Sequence, residues 1–119
     1  IANGSSKNIL FAKAIIEKDS INSQAHQKNN NLMLSPKSVI HSNPQLEIHN
    51  NDVQCSHGST IGELDDEAIY YMRTRGINEN DAKKLLLNGF LDEIIDKINF
   101  TPTKTYLKRK IAKYLSNVN

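Results

Sequence analysis

The stretch Pro44-Gln45-Leu46-Glu47-Ile48-His49-Asn50-Asn51-Asp52-Val53-Gln54-Cys55-Ser56-His57-Gly58-Ser59-Thr60-Ile61-Gly62-Glu63-Leu64-Asp65 holds the change of period on which the fold turns. Leu46-Glu47-Ile48-His49 alternates apolar with polar side chains, the pattern of a half-buried strand. After Gly62 the period becomes helical, with Leu64, Ala68 and Met72 four apart and Tyr71 beside them. Glu63, Asp65, Asp66 and Glu67 gather in the expected first turn, where carboxylates favour the positive end of the helix dipole. Gly58 and Gly62 read as backbone freedom or close packing at this junction.

Upstream, apolar residues come in short runs: Ile9-Leu10-Phe11, Ala14-Ile15-Ile16, Leu32-Met33-Leu34 and Val39-Ile40. Turn formers separate them at Asn3-Gly4-Ser5-Ser6, Asp19-Ser20, Asn29-Asn30-Asn31, Ser35-Pro36 and Ser42-Asn43-Pro44. Many short strands at close spacing fit a sandwich, a barrel or a β-solenoid, and the pattern leaves these three open. No clean internal repeat stands out at the level of single residues.

Downstream, Gly76 fits the end of a first helix and Asn78 the N-cap of a second, with Glu79 and Asp81 in its first turn. The second helix is expected to run to about Ile98. Its apolar residues, Ala82, Leu85, Leu86, Leu87, Phe90, Leu91, Ile94, Ile95 and Ile98, cover more than half the circumference, so it should be packed on two sides. Thr101-Pro102 marks a third start, with proline in the first turn. Leu107, Ile111, Tyr114, Leu115 and Val118 form its apolar stripe, and Lys104, Lys108, Arg109, Lys110 and Lys113 give it a basic face with no acid. A solvated face is the reading for those charges. The division expected is 1–61 for the β part and 62–119 for the helical part.

The chain has 119 residues, one domain or a piece of a larger one, and 38% of them are hydrophobic, below the roughly 45–50% of ordinary globular domains. Part of the apolar surface that closes the core is therefore expected outside this chain. A formal net charge of +2 is too small for a nucleic-acid footprint, and no stretch resembles a membrane span or a signal peptide. The single cysteine, Cys55, rules out an internal disulfide framework and fits a reducing compartment. The chain opens at Ile1 within apparent structure and is read as a fragment.

Asn31-Leu32-Met33-Leu34, Pro44 to Ile48, Asp52-Val53, Cys55 to Gly62, Leu64 to Glu67 and Arg73-Thr74-Arg75-Gly76-Ile77 follow one another in order, with Asp81-Ala82 and Gly89-Phe90 beyond. This series resembles the SufB/SufD family of iron–sulfur cluster assembly proteins, over about residues 29–98. Cys-Ser-His-Gly followed by a small residue resembles the SufD type. The SufB type carries glutamate where Gly58 stands. The resemblance implies a mixed β and α fold: the final rungs of a right-handed parallel β-helix, then a C-terminal helical domain. It implies a scaffold subunit rather than an enzyme, with a SufB-like chain and a SufC-like ATPase as partners. Bacterial cytoplasm or plastid stroma would be its compartment.

The resemblance also implies that Cys55 and His57 are candidate iron or cluster ligands at a subunit interface. Two residues apart on a strand they share a face, yet they are no complete tetrahedral set, so other ligands would come from a partner chain. Iron or a transient iron–sulfur cluster would be shared in that way, with none expected in the isolated chain. Read without the resemblance, Cys55 is equally a buried small side chain and His57 a hydrogen-bonded strand-end histidine. His26, His41 and His49 are expected to face solvent. Leu46, Ile48 and Val53 are expected to pair with a SufB-like strand or, in a homodimer, with a second copy. Leu87 and Leu91 are expected to dock the ATPase. Ile9, Phe11, Ile15 and Ile16 are expected to line an uncapped apolar end. A SufB-like subunit, or a self-contained metal enzyme using Cys55 and His57, are the rival readings. Ser56, Ser59 and Thr60 near His57 do not form a Gly-x-Ser-x-Gly elbow, and no Walker A sequence is present, so hydrolase and ATPase chemistry are set aside.

Overall fold

The computed structural model describes residues 1–116, so Val118 lies outside the described residues. The chain divides into two compact units, Ile1–Glu63 and Leu64–Asn119. The division falls two residues beyond the expected boundary because the last strand continues through Gly62 to Glu63.

The first unit holds four strands: β1 (Lys7–Ile16), β2 (Ser23–Met33), β3 (Val39–Ile48) and β4 (Val53–Glu63). They form two parallel two-stranded sheets, β1 with β3 and β2 with β4. Lys7 pairs with Val39 and Ser23 with Val53, so equivalent positions recur after 32 and 30 residues. The strands are 10 or 11 residues long, not the short pieces that the apolar runs suggest. Asn3-Gly4-Ser5-Ser6, Asp19-Ser20 and Ser35-Pro36 lie outside the strands as expected, but the other two supposed turn segments lie inside them. Asn29, Asn30 and Asn31 belong to β2 and Pro44 to β3.

Hydrogen bonds between side chains explain why asparagines can stay in a strand. Asn29 Nδ2 donates to Ser42 Oγ at 2.6 Å, Ser59 Oγ donates to the same oxygen at 2.8 Å, and Asn31 Nδ2 donates to the Thr60 carbonyl at 3.0 Å. The bonds of Asn29 and Ser59 to Ser42 therefore bridge the two sheets where an ordinary core would place aliphatic side chains. The buried apolar residues of this unit are Ala2, Leu32 and Ile40. Asn22, which precedes β2, has φ +57°, and its N–H donates to the Asp52 carbonyl at 2.9 Å, tying one turn to the next.

The expected apolar end is divided by the pleat. Ile9, Phe11 and Ile15 share one face of β1 and are exposed, whereas Ile16 lies on the opposite face and is half-buried. Ile9, Phe11 and Ile15 line the outer surface of a sheet, apart from Ile16, and the four residues form no common end.

The second unit holds α1 (Asp66–Thr74), α2 (Glu79–Ile95) and α3 (Thr101–Leu115). The Asp65 carboxylate caps α1, accepting from Glu67 and Ala68 N–H, and Asn78 caps α2, accepting from Asp81 N–H. Glu63, expected in the first turn of α1, closes β4 instead. Gly76 has φ +86° just past α1, the left-handed position that glycine fills without strain. α2 ends at Ile95, short of Ile98, and packs against both α1 and α3. Ile69, Ala82, Leu87, Ile95 and Leu115 form the core of the unit. Burying a leucine such as Leu87 contributes roughly 2 kcal/mol.

Candidate functional site

Cys55 and His57 lie on β4, whose only ladder among the described residues is with β2. Cys55 pairs with Ala25 and His57 with Gln27. At about 3.3 Å per residue, the two candidate ligands stand roughly 6.6 Å apart along one face. Cys55 is half-buried and His57 exposed. The His57 ring reaches the facing sheet, with Nδ1 3.2 Å from the Pro44 carbonyl oxygen. Among the described residues no group of three or more His, Cys, Asp or Glu side chains could hold a metal ion. The donor chemistry of thiolate and imidazole suits iron, but at this place the described residues supply two such donors and not a full set.

The remaining histidines are exposed, as expected. His26 Nδ1 lies 2.8 Å from Ser56 Oγ, so the serine beside His57 in sequence contacts a different histidine in space. Neither the pairing of β2 with β4 nor this contact can be read from local sequence. Glu47 is held by Lys13 and by His49, whose Nε2 is 2.7 Å from Glu47 Oε1. The hydrogen bond from Lys13, then that from His49, keeps the Glu47 carboxyl below its ordinary range.

Gly58 and Gly62 have ordinary strand conformations, and nothing lies within 4 Å of a side chain built on either. The expectation of close packing at these glycines does not hold within the chain. Leu46 and Ile48 end β3, while Val53 opens β4. The segment Leu46–Val53 is therefore two strand ends joined by a bend and cannot pair as one strand. Leu87 is 1% exposed, which puts it in the core of the helical unit and removes it from any docking face. Leu91 is half-buried. Large exposed apolar and aromatic residues of the helical unit include Tyr70, Tyr71, Leu85, Ile94, Phe100, Tyr106 and Tyr114.

A family model described as SUF system FeS cluster assembly, SufBD core domain, matches residues 1–90. The chain belongs to the SufBD family. It is 35% identical over 100 residues to the iron–sulfur cluster assembly protein SufD of Escherichia coli, a match covering 84% of the chain and 24% of that relative. It is also 35% identical over 104 residues to a SufBD family protein of Synechocystis, covering 87% of the chain and 23% of the relative. A third relative, the chloroplastic protein ABCI7 of Arabidopsis thaliana, is 29% identical over 97 residues, covering 82% of the chain and 20% of the relative. The chain thus spans about a quarter of the length of these SufBD relatives. The relatives include a bacterial SufD and a protein named as chloroplastic, and no helix among the described residues is long and apolar enough to cross a membrane.

Proposed function

We propose that the chain is the C-terminal part of a SufD-like scaffold subunit, without catalytic activity of its own, in a SUF iron–sulfur cluster assembly complex. The observation that carries this reading is the position of Cys55 and His57: two ligand types on one face of a strand that, among the described residues, has one unpaired edge and brings no third ligand beside them. Iron or a nascent cluster is then cargo, held jointly with a SufB-like chain that supplies the missing ligands. An unpaired strand edge recruits another strand. Gly58 and Gly62 leave the surface of β4 open to an approaching backbone.

The parallel pairings at 32 and 30 residues support two successive turns of a β-helix, whose right-handed sense follows from the family resemblance. The helical unit is the docking platform for a SufC-like ATPase. Its exposed aromatic residues, Tyr70 and Tyr71, and Arg75, whose guanidinium lies 5.2 Å from the Tyr71 ring centre, have the composition of an interaction hot spot. Cutting the protein after Glu63 should abolish ATPase binding and leave binding of the SufB-like chain intact. Retention of the ATPase by the truncated protein would overturn the assignment of the helical unit.

A further inference from the structure

Gln27 and His57 are register partners on β2 and β4, while Ala12 and Pro44 are register partners on β1 and β3. Gln27 Nε2 donates to the Ala12 carbonyl at 3.2 Å. His57 Nδ1 stands 3.2 Å from the Pro44 carbonyl. The two contacts are one inter-sheet bridge made twice, in successive layers. A carbonyl oxygen only accepts, so in the neutral His57 ring the hydrogen sits on Nδ1 and the lone pair on Nε2.

Pro44 suits this arrangement. It has no N–H, and the N–H and C=O of one strand residue point to the same side. β3 pairs only with β1 among the described residues, so Pro44 can turn its donor-free nitrogen to the unpaired side at no cost in ladder bonds. Its carbonyl is then free of the ladder and open to a side-chain donor, and His57 stands at that oxygen.

We infer that His57 divides its two nitrogens: Nδ1–H bridges the sheets through the Pro44 carbonyl, and Nε2 is the donor atom offered to iron. This rests on the ligand role proposed above and specifies its atom. Pro44 is a positioning residue that acts through its backbone oxygen. Holding one imidazole nitrogen on a backbone carbonyl fixes the tautomer and orientation of a metal-binding histidine. The Gln27 bridge implies a further property. Glutamine at position 57 would keep the bridge and lose the imidazole.

Long-range nitrogen–proton spectra of the 15N-labelled protein read the tautomer, and thermal melting is compared for His57→Gln and His57→Ala. Ferrous iron loading is measured on the same variants bound to the SufB-like chain. The expected results are an Nδ1-protonated ring, melting of His57→Gln within about 1 °C of the parent, and melting of His57→Ala roughly 2–5 °C lower. Iron loading should fall in both variants. An Nε2-protonated ring, or equal melting of the two variants, overturns the bridge. The expected tautomer and melting with iron loading unchanged in both variants overturns the ligand role instead, so the two failures are distinguishable.

Discussion

Cys55 and His57 leave β4 on the same side, two residues apart, and meet different surroundings. The thiol is half-buried beside Ala25, and the imidazole is exposed and tied to Pro44. Cys55 makes no structural bridge of this kind, so its replacement should separate chemistry from folding. Cys55→Ser should change stability by less than about 1 kcal/mol, the range of a mild substitution. Cluster assembly on the complete complex should fall roughly 10-fold or more, as for loss of a metal-site residue. Chemical denaturation and the visible absorbance of the assembled cluster measure the two effects. A stable variant with full assembly would remove Cys55 from the site.

The edge of β4 should also drive self-association when no partner is present. From Val53 to Gly62 the strand carries neither proline nor a Lys, Arg, Asp or Glu side chain, so it lacks the usual protection of an exposed edge. Sedimentation at micromolar concentration should detect a dimer. Introducing Gln54→Lys with Ile61→Lys, both at exposed positions, should shift it to monomer without lowering its melting temperature. A parent protein that is already monomeric under these conditions would contradict the edge-pairing account.

Much of the helical unit was legible because its signals are local. Gly76, Asn78 and Pro102 mark helix ends by chemistry that acts within one turn, and the wide apolar coverage of α2 reflects packing against α1 and α3, whereas Asp65, expected inside the first turn of α1, is its N-cap. The strands were harder to read. Their lengths depend on pairing 30 or more residues away, and the asparagines of β2 stay extended through bonds to Ser42 and Thr60 that no local window contains. The layers also repeat in geometry and not in residue type, since Gln27 stands over His57 and Asn29 over Ser59. Cys55 and His57 could be named from the sequence, but the Pro44 and Gln27 contacts that define their setting could not.

Leu87 and Leu91 provide a contrast within α2. Leu87 is 1% exposed, so Leu87→Ala should cost about 2–5 kcal/mol and lower the melting temperature of the helical unit. Leu91 is half-buried, and Leu91→Ala should cost less than half as much. Circular dichroism at the helical band follows both. Equal costs would mean that the core is centred elsewhere on α2.

Acid should weaken the contact between α2 and α3. Hydrogen bonds from Lys104 and then Lys108 hold the Asp96 carboxyl below its ordinary 3.8, and bonds to Asp96 and then Asp92 raise Lys108 above its ordinary 10.5. A depressed carboxyl stabilises the fold above its ordinary value and loses that contribution as pH falls through the lower folded value. A raised ammonium stabilises below its ordinary value and loses that contribution as pH climbs through the higher folded value. Stability of the helical unit should therefore decline below about pH 4 and again above about pH 10.5. Asp96→Asn should flatten the acid limb, and an unchanged acid limb in that variant would show that Asp96 does not contribute to it.

Hydrogen–deuterium exchange on the protein with and without its SufB-like partner tests the central claim most directly. If the edge of β4 is the contact that brings Cys55 and His57 to shared ligands, amides within Val53–Glu63 should gain protection on binding, while those of α1–α3 change little. Formation of the complex with exchange across β4 unchanged would contradict the account.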